Sequence, residues 1–137
     1  MKEKQITIAN RIDQLDFMVT ELEILCEEWE IPMNISINLN LVLEELVTNI
    51  IFYGYEDQNE HEINIHFTFD DNRIEIVLVD DAKEFNLLLA AEPEFNTPIE
   101  EMKIGGLGIH LVKKIMNEIK YERSDNKNIL KLVKNLN

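Results

Sequence analysis

Glu45 and Asn49 stand four residues apart in a stretch whose apolar positions recur at helical spacing, so a carboxylate and an amide project from one helix face. A carboxylate and an amide thus share an apolar helix. An isolated E-x-x-x-N is more often an ordinary solvated stripe. Asp80 closes a run of alternating apolar residues, a position from which a carboxylate can face a cleft and accept a hydrogen bond from an exocyclic amine, although turn chemistry also favours Asp there. Gly105, Gly106 and Gly108 are three of only four glycines and gather where a loop enters a helix. Glycines let backbone N–H groups approach a phosphate, and a helix amino terminus adds partial positive charge. The alternative for that cluster is a plain helix start or hinge.

Other chemistries find no footing. The sequence has no G-x-x-x-x-G-K-S/T, which excludes a P-loop, and Leu111 stands where the third glycine of a dinucleotide fingerprint belongs. His61, His66 and His110 lack metal-ligand spacing and read as surface residues. No nucleophile elbow or serine-histidine-acid constellation occurs. Cys26 has no second cysteine to pair with and reads as a buried, reduced thiol.

The elements that must position these residues follow from periodicity. Ile6 and Ile8 alternate as a short strand. Asn10 or Asp13 can then cap a helix bearing Leu15, Met18, Leu22, Leu25 and Trp29. After Pro32, a second helix over about 34–51 carries Leu39, Val42, Leu43, Leu46, Val47 and Ile50, apolar enough to be central. Ile63, Ile65, Phe67 and Phe69, then Ile74, Ile76 and Leu78, alternate on either side of Asp70-Asp71-Asn72, predicting a hairpin over 61–80. Residues 82–104 have poor periodicity and include Pro93 and Pro98, which predicts a mobile lid. A helix with Leu111, Val112, Ile115 and Met116 follows, then a last hairpin turning at about 124–127, with Ile119, Tyr121, Leu130 and Leu132 inward. The expected class is α+β, a two-layer sandwich with helices packed on one face of a mixed, mostly antiparallel sheet.

With 137 residues, the chain is expected to be one domain across 1–137. Thirteen basic against 27 acidic side chains give a formal charge of −14, which argues against nucleic acid as a direct partner. The same charge would repel a nucleotide, so an ATP site here calls for a divalent cation and backbone donors. The amino terminus lacks a signal-peptide core and no apolar run approaches membrane-spanning length, so the expectation is a cytoplasmic protein without a membrane partner.

Taken in order, E-x-x-x-N at Glu45 to Asn49, D-x-A-x-x-F at Asp80 to Phe85, and G-G-L-G-I-x-L-V at Gly105 to Val112 resemble the N, G1 and G2 boxes of the GHKL ATPases. Within that superfamily the chain resembles the anti-sigma-factor serine/threonine kinases, over nearly everything from Ile6 to Val133. The resemblance implies the Bergerat, or histidine-kinase-like, ATPase fold and a cofactor pair of ATP and Mg²⁺. It implies that Asn49 holds the metal, that Asp80 accepts the adenine amino proton, and that the backbone of Gly105, Gly106, Leu107 and Gly108 cradles phosphate. Glu45 would be the general base, orienting a hydroxyl for in-line attack. The implied partners are a sigma factor and a small anti-sigma antagonist protein, with a homodimer by analogy. Two positions depart from the pattern: Ala82 replaces a glycine common in relatives, and Tyr53 stands where a histidine or basic residue often follows the N box. Lys103 could supply the missing charge. A nucleotide-gated interaction module without transfer activity is the competing implication, in which ATP orders the lid and so changes a binding surface.

Overall fold

The computed structural model describes residues 1–89 and 106–136. Strand β1 (Lys2–Ala9) leads through a 3₁₀ turn into helix α1 (Leu15–Glu28) and helix α2 (Met33–Tyr53); β2 (Glu62–Asp70) and β3 (Arg73–Asp80) follow. Helix α3 (Gly106–Ile115) then precedes β4 (Glu118–Ser124) and β5 (Lys127–Asn135). The first strand is longer than the Ile6–Ile8 alternation alone suggests, because Lys2 to Gln5 pair with β2 opposite Phe69 to His66.

The sheet order is β1-β2-β3-β5-β4, and every neighbouring pair is antiparallel. This is the expected α+β class with helices on one face of a mostly antiparallel sheet; only the parallel component of the expected mixed sheet is absent among the described residues, and the connections explain why. Two successive helices between β1 and β2 return the chain in the opposite sense, where a single crossover helix would give a parallel pair. Passage through α3 does make β4 run in the same direction as β3, but β5 inserts between them and pairs with both. The hairpin turns use the residues that tolerate positive φ: Asp71 at 54° between β2 and β3, and Asp125 and Asn126 at 53° and 62° between β4 and β5.

One face of the sheet carries the core. Ile63, Ile65, Phe67, Ile74, Ile76, Leu78, Leu130 and Leu132 are buried from the strands, against Met18, Leu22, Leu25, Leu39, Leu43, Val47 and Val112 from the helices. The opposite face alternates with half-exposed residues such as Asn64, His66 and Thr68. Two local expectations are corrected. Asn10 caps no helix: its side-chain oxygen accepts from the His61 N–H at 2.8 Å, and its own N–H donates to the His61 carbonyl at 3.0 Å, tying β1 to the start of β2. Helix α2, at 21 residues, is long and apolar enough to cross a membrane by length and composition. Its apolar stripe is already spent, since Ile35, Leu39, Val42, Leu43, Leu46 and Val47 are buried within the core.

Helix α2 ends at Gly54, whose N–H donates to the Ile50 carbonyl at 2.9 Å and whose carbonyl accepts from the Lys83 N–H at 3.0 Å. A Cβ built there would meet the Ile50 carbonyl oxygen at 2.6 Å and the Ala82 Cβ at 2.8 Å, so the glycine is needed for close approach. Ala82, 3% exposed, thus fills with its methyl the space that Gly54 leaves open. Gly54→Ala is expected to cost about 2 kcal/mol in urea unfolding by overpacking a well-filled contact. Ala82→Gly in the same chain should restore part of that, since it relieves one of the two clashes. Unchanged stability in Gly54→Ala would show that the loop yields freely.

Candidate functional site

The carboxyl end of β3, the last turns of α2 and the β4–β5 hairpin converge on a cavity of about 250 Å³. Leu46, Ile50, Leu78, Leu87 and Leu130 give it apolar walls; Asn49, Asp80, Tyr121 and Asn128 place polar atoms in them. A mainly apolar slot with a few convergent polar groups suits a flat heteroaromatic ring better than a peptide or sugar.

Asp80 is 5% exposed. Its Oδ1 accepts two hydrogen bonds, from the Ala82 N–H at 3.0 Å and from Asn128 Nδ2 at 2.9 Å. Oδ2 has no hydrogen-bond partner among the described residues, which leaves one carboxylate oxygen as an available acceptor at the cavity. Burial raises the carboxyl pKa above the usual range, opposed by the two hydrogen bonds that favour the charged form.

Asn128 organises this corner. Its Nδ2 also donates to the Lys83 carbonyl at 3.0 Å, and its Oδ1 accepts from the Tyr121 hydroxyl at 2.5 Å and the Phe85 N–H at 3.3 Å. The sequence did carry a signal for it. Asn128 has the same strand parity as the inward Leu130 and Leu132, and a polar residue at an inward position is informative where an exposed leucine is not.

Among the expected site residues, Asn49 and Asp80 share this cavity. Glu45 lies one turn earlier on α2, outside the cavity lining, with its carboxylate against α3: a Cβ on Gly108 would fall 2.0 Å from Glu45 Oε2. Gly108 is therefore the residue that makes room for Glu45. Gly106 and Leu107 form the first turn of α3. Gly105, Lys103 and residues 90–104 of the expected lid lie outside the described residues. The described start of that segment holds a 3₁₀ turn, Leu87–Leu89, whose Leu87 is buried. Tyr53 is 41% exposed at the cavity edge, its ring tilted against Phe52.

His61 lies at the surface, as its sequence context suggests, but is held there by specific contacts. Its ring stacks on Tyr55, centroids 4.1 Å apart, while Nδ1 lies 3.1 Å from Asp81 Oδ2 and Nε2 lies 2.9 Å from Asp57 Oδ1. The Tyr55 hydroxyl donates to Asp81 Oδ1 at 2.8 Å. This cluster ties the loop after Gly54 to the residue next to Asp80. The Asp57 and Asp81 carboxylates raise the His61 pKa. Asp57 is lowered chiefly by its hydrogen bond to His61; Asp81 is also lowered, the bonds from His61 and Tyr55 outweighing its burial. Stability from the imidazolium is complete below the unfolded histidine value, about 6.5, and is lost as pH rises through the higher folded value. The carboxylates' share is present above their unfolded value, about 4, and is lost as pH falls through the lower folded values. The clamp is thus fullest between about pH 4 and 6.5. His61→Gln should flatten the dependence of Tm on pH between about 6 and 8; an unchanged slope would show that the imidazole carries no net charge coupling.

The sequence profile of the histidine kinase-like ATPase domain matches residues 8–134. The chain is similar to the serine-protein kinase RsbW of Oceanobacillus iheyensis, 30% identical over 89 residues that cover 61% of this chain and 55% of the relative. It is also similar to RsbW of Bacillus cereus, 28% identical over 97 residues covering 68% and 60%. The matched stretches thus span less than two thirds of these relatives' lengths. Among solved structures, the RsbU and RsbW domains of Rv1364c from Mycobacterium tuberculosis share the fold at a TM-score of 0.70 and 12% identity, covering 98% of this chain and 32% of that one. The catalytic domain of the histidine kinase ThkA superposes at a TM-score of 0.51 and 16% identity, covering 98% and 97%. With the profile spanning nearly all of the sequence, this chain belongs to the histidine kinase-like ATPase domain family.

Proposed function

We propose that this chain binds Mg·ATP in the Asn49–Asp80 cavity and transfers the γ-phosphate to a serine or threonine hydroxyl of a small anti-sigma antagonist protein, in alternation with holding a sigma factor. The observation that carries the reading is the buried Asp80: one oxygen is fixed by Ala82 and Asn128, and the other is left as an acceptor at an apolar slot. That arrangement suits the exocyclic amine of adenine lying between Ile50, Leu78 and Leu130.

Among the described residues no group of three or more His, Cys, Asp or Glu could hold a metal ion. The donor set instead fits magnesium taken with the nucleotide: the Asn49 side-chain oxygen as a protein ligand, and phosphate oxygens and water for the rest. The ion would neutralise phosphate charge, which a protein of formal charge −14 otherwise repels. The first turn of α3, with Gly106 and Gly108, would offer backbone N–H groups to phosphate, and the family resemblance would add Gly105 and Lys103, which lie outside the described residues. Glu45, beside Gly108, would take the proton of the attacking hydroxyl. The names of the RsbW relatives support the transfer reading.

Calorimetric titration with ATP in the presence and absence of magnesium tests the site, and incubation with γ-labelled ATP and a candidate antagonist protein tests transfer. Saturable magnesium-dependent binding with label on the antagonist is expected. Binding without transfer to any antagonist would favour a nucleotide-gated interaction module, and absence of nucleotide binding would sink the proposal.

A further inference from the structure

A second concave surface lies at the other end of the helical layer, between the carboxyl-terminal half of α1 and the amino-terminal half of α2. It is a groove of about 670 Å³, floored by the buried Leu22, Cys26 and Ile31. Met33 and Ile37, four residues apart on α2 and 75% and 59% exposed, form one apolar lip. Glu23, Glu27 and Glu30 form the opposite rim. Nothing in the nucleotide-site reading uses this surface.

We propose that the groove is a docking site for a basic amphipathic helix of a partner protein. The floor and lip supply what the apolar face of such a helix needs: a trough between two packed helices with side chains at helical spacing, one of them an adaptable methionine. Charge then selects the partner. Neither α1 nor α2 contains a lysine, arginine or histidine. None of the three rim glutamates is in an ion pair among the described residues, so their carboxylates are available to cations from outside. An acidic peptide or a nucleic acid would meet uncompensated repulsion at the same rim.

The inner end of the groove adds a polar requirement. Asn40 Oδ1, in the same wall as Cys26 and Ser36, is buried without a hydrogen-bond partner among the described residues. An acceptor in that state favours a donor, which an ammonium or guanidinium group of the partner would supply. Apolar contact would supply most of the affinity, while the glutamate rim would set register, association rate and salt sensitivity.

The probe is a fluorescein-labelled synthetic helix with leucine at alternating third and fourth positions and lysine elsewhere, followed by anisotropy against the intact chain. Saturable one-to-one binding is expected. Ile37→Asp, at an exposed position, and the pair Glu27→Lys/Glu30→Lys should each weaken it about tenfold or more. Glu118→Lys/Glu122→Lys on β4 makes the same change in net charge away from the groove and should stay within about twofold. Equal losses in the two charge-reversed pairs would reduce the effect to attraction by overall charge and overturn the proposal. So would undiminished binding by folded Ile37→Asp, and the lysine pair decides the matter if that variant fails to fold. Sedimentation showing a dimer that Ile37→Asp splits would assign the groove to a second copy instead.

Discussion

Asp80→Asn is expected to weaken Mg·ATP binding by about a hundredfold or more while leaving thermal stability unchanged or raised. The two halves of that outcome have one cause. In the folded chain Oδ1 accepts from the Ala82 N–H and from Asn128 Nδ2, and an asparagine oxygen can keep both bonds. The second carboxylate oxygen becomes an NH₂ group, so a donor faces the donor of an adenine amine across a dry slot, which removes one hydrogen bond and leaves two polar groups unsatisfied. Stability moves the other way because burial raises the Asp80 pKa. A carboxyl whose folded pKa lies above its unfolded value favours the fold at low pH, and that contribution is lost as pH rises through the folded value. At neutral pH the wild-type chain therefore carries the cost of a buried charge that asparagine does not. Calorimetry with Mg·ATP and a thermal melt of the same preparation at pH 7 give both readouts. Native affinity in Asp80→Asn would remove Asp80 from the site; a folded but much less stable variant would recast it as a structural residue.

The difference between what could and could not be read from the sequence has a physical origin. Helix α2 and the β2–β3 and β4–β5 hairpins were legible because each writes its own period into consecutive residues, and because Asp71, Asp125 and Asn126 are types that turn readily. Asp80 and Asn49 were legible as candidates, but their meeting in one cavity is a property of the sheet order, which places β3 beside β5 under α2. Insertion of β5 between β3 and β4 was hidden for the same reason: strand alternation fixes which face a residue occupies and says nothing about which strand lies next to it. The Tyr55–His61–Asp81 cluster joins residues 20 and 26 apart in sequence, beyond any helix or strand period. Asn128 is the intermediate case. Its inward parity marked it as an anomaly, while its partners Asp80, Tyr121 and Phe85 came only with the fold.

Glu45→Gln separates transfer from binding most sharply. The side chain lies outside the cavity that holds Asn49 and Asp80, so removing its charge should leave nucleotide affinity within about threefold of wild type while phosphoryl transfer falls by about a hundredfold or more. Its location gives the reason. Glu45 Oε2 occupies the space over Gly108 in the first turns of α3, where backbone N–H groups would face phosphate in the proposed site. Glutamine keeps the length and the contact with Gly108 but cannot act as a base at neutral pH. Gly108→Ala approaches the same residue from the other side: the added methyl would fall 2.0 Å from Oε2 and must displace the carboxylate without changing its charge. If Glu45 acts as a positioned base, both substitutions depress the transfer rate at saturating ATP while leaving nucleotide affinity close to wild type. If Glu45→Gln transfers at the wild-type rate while Gly108→Ala does not, the glycine serves phosphate directly and the proton leaves by another route.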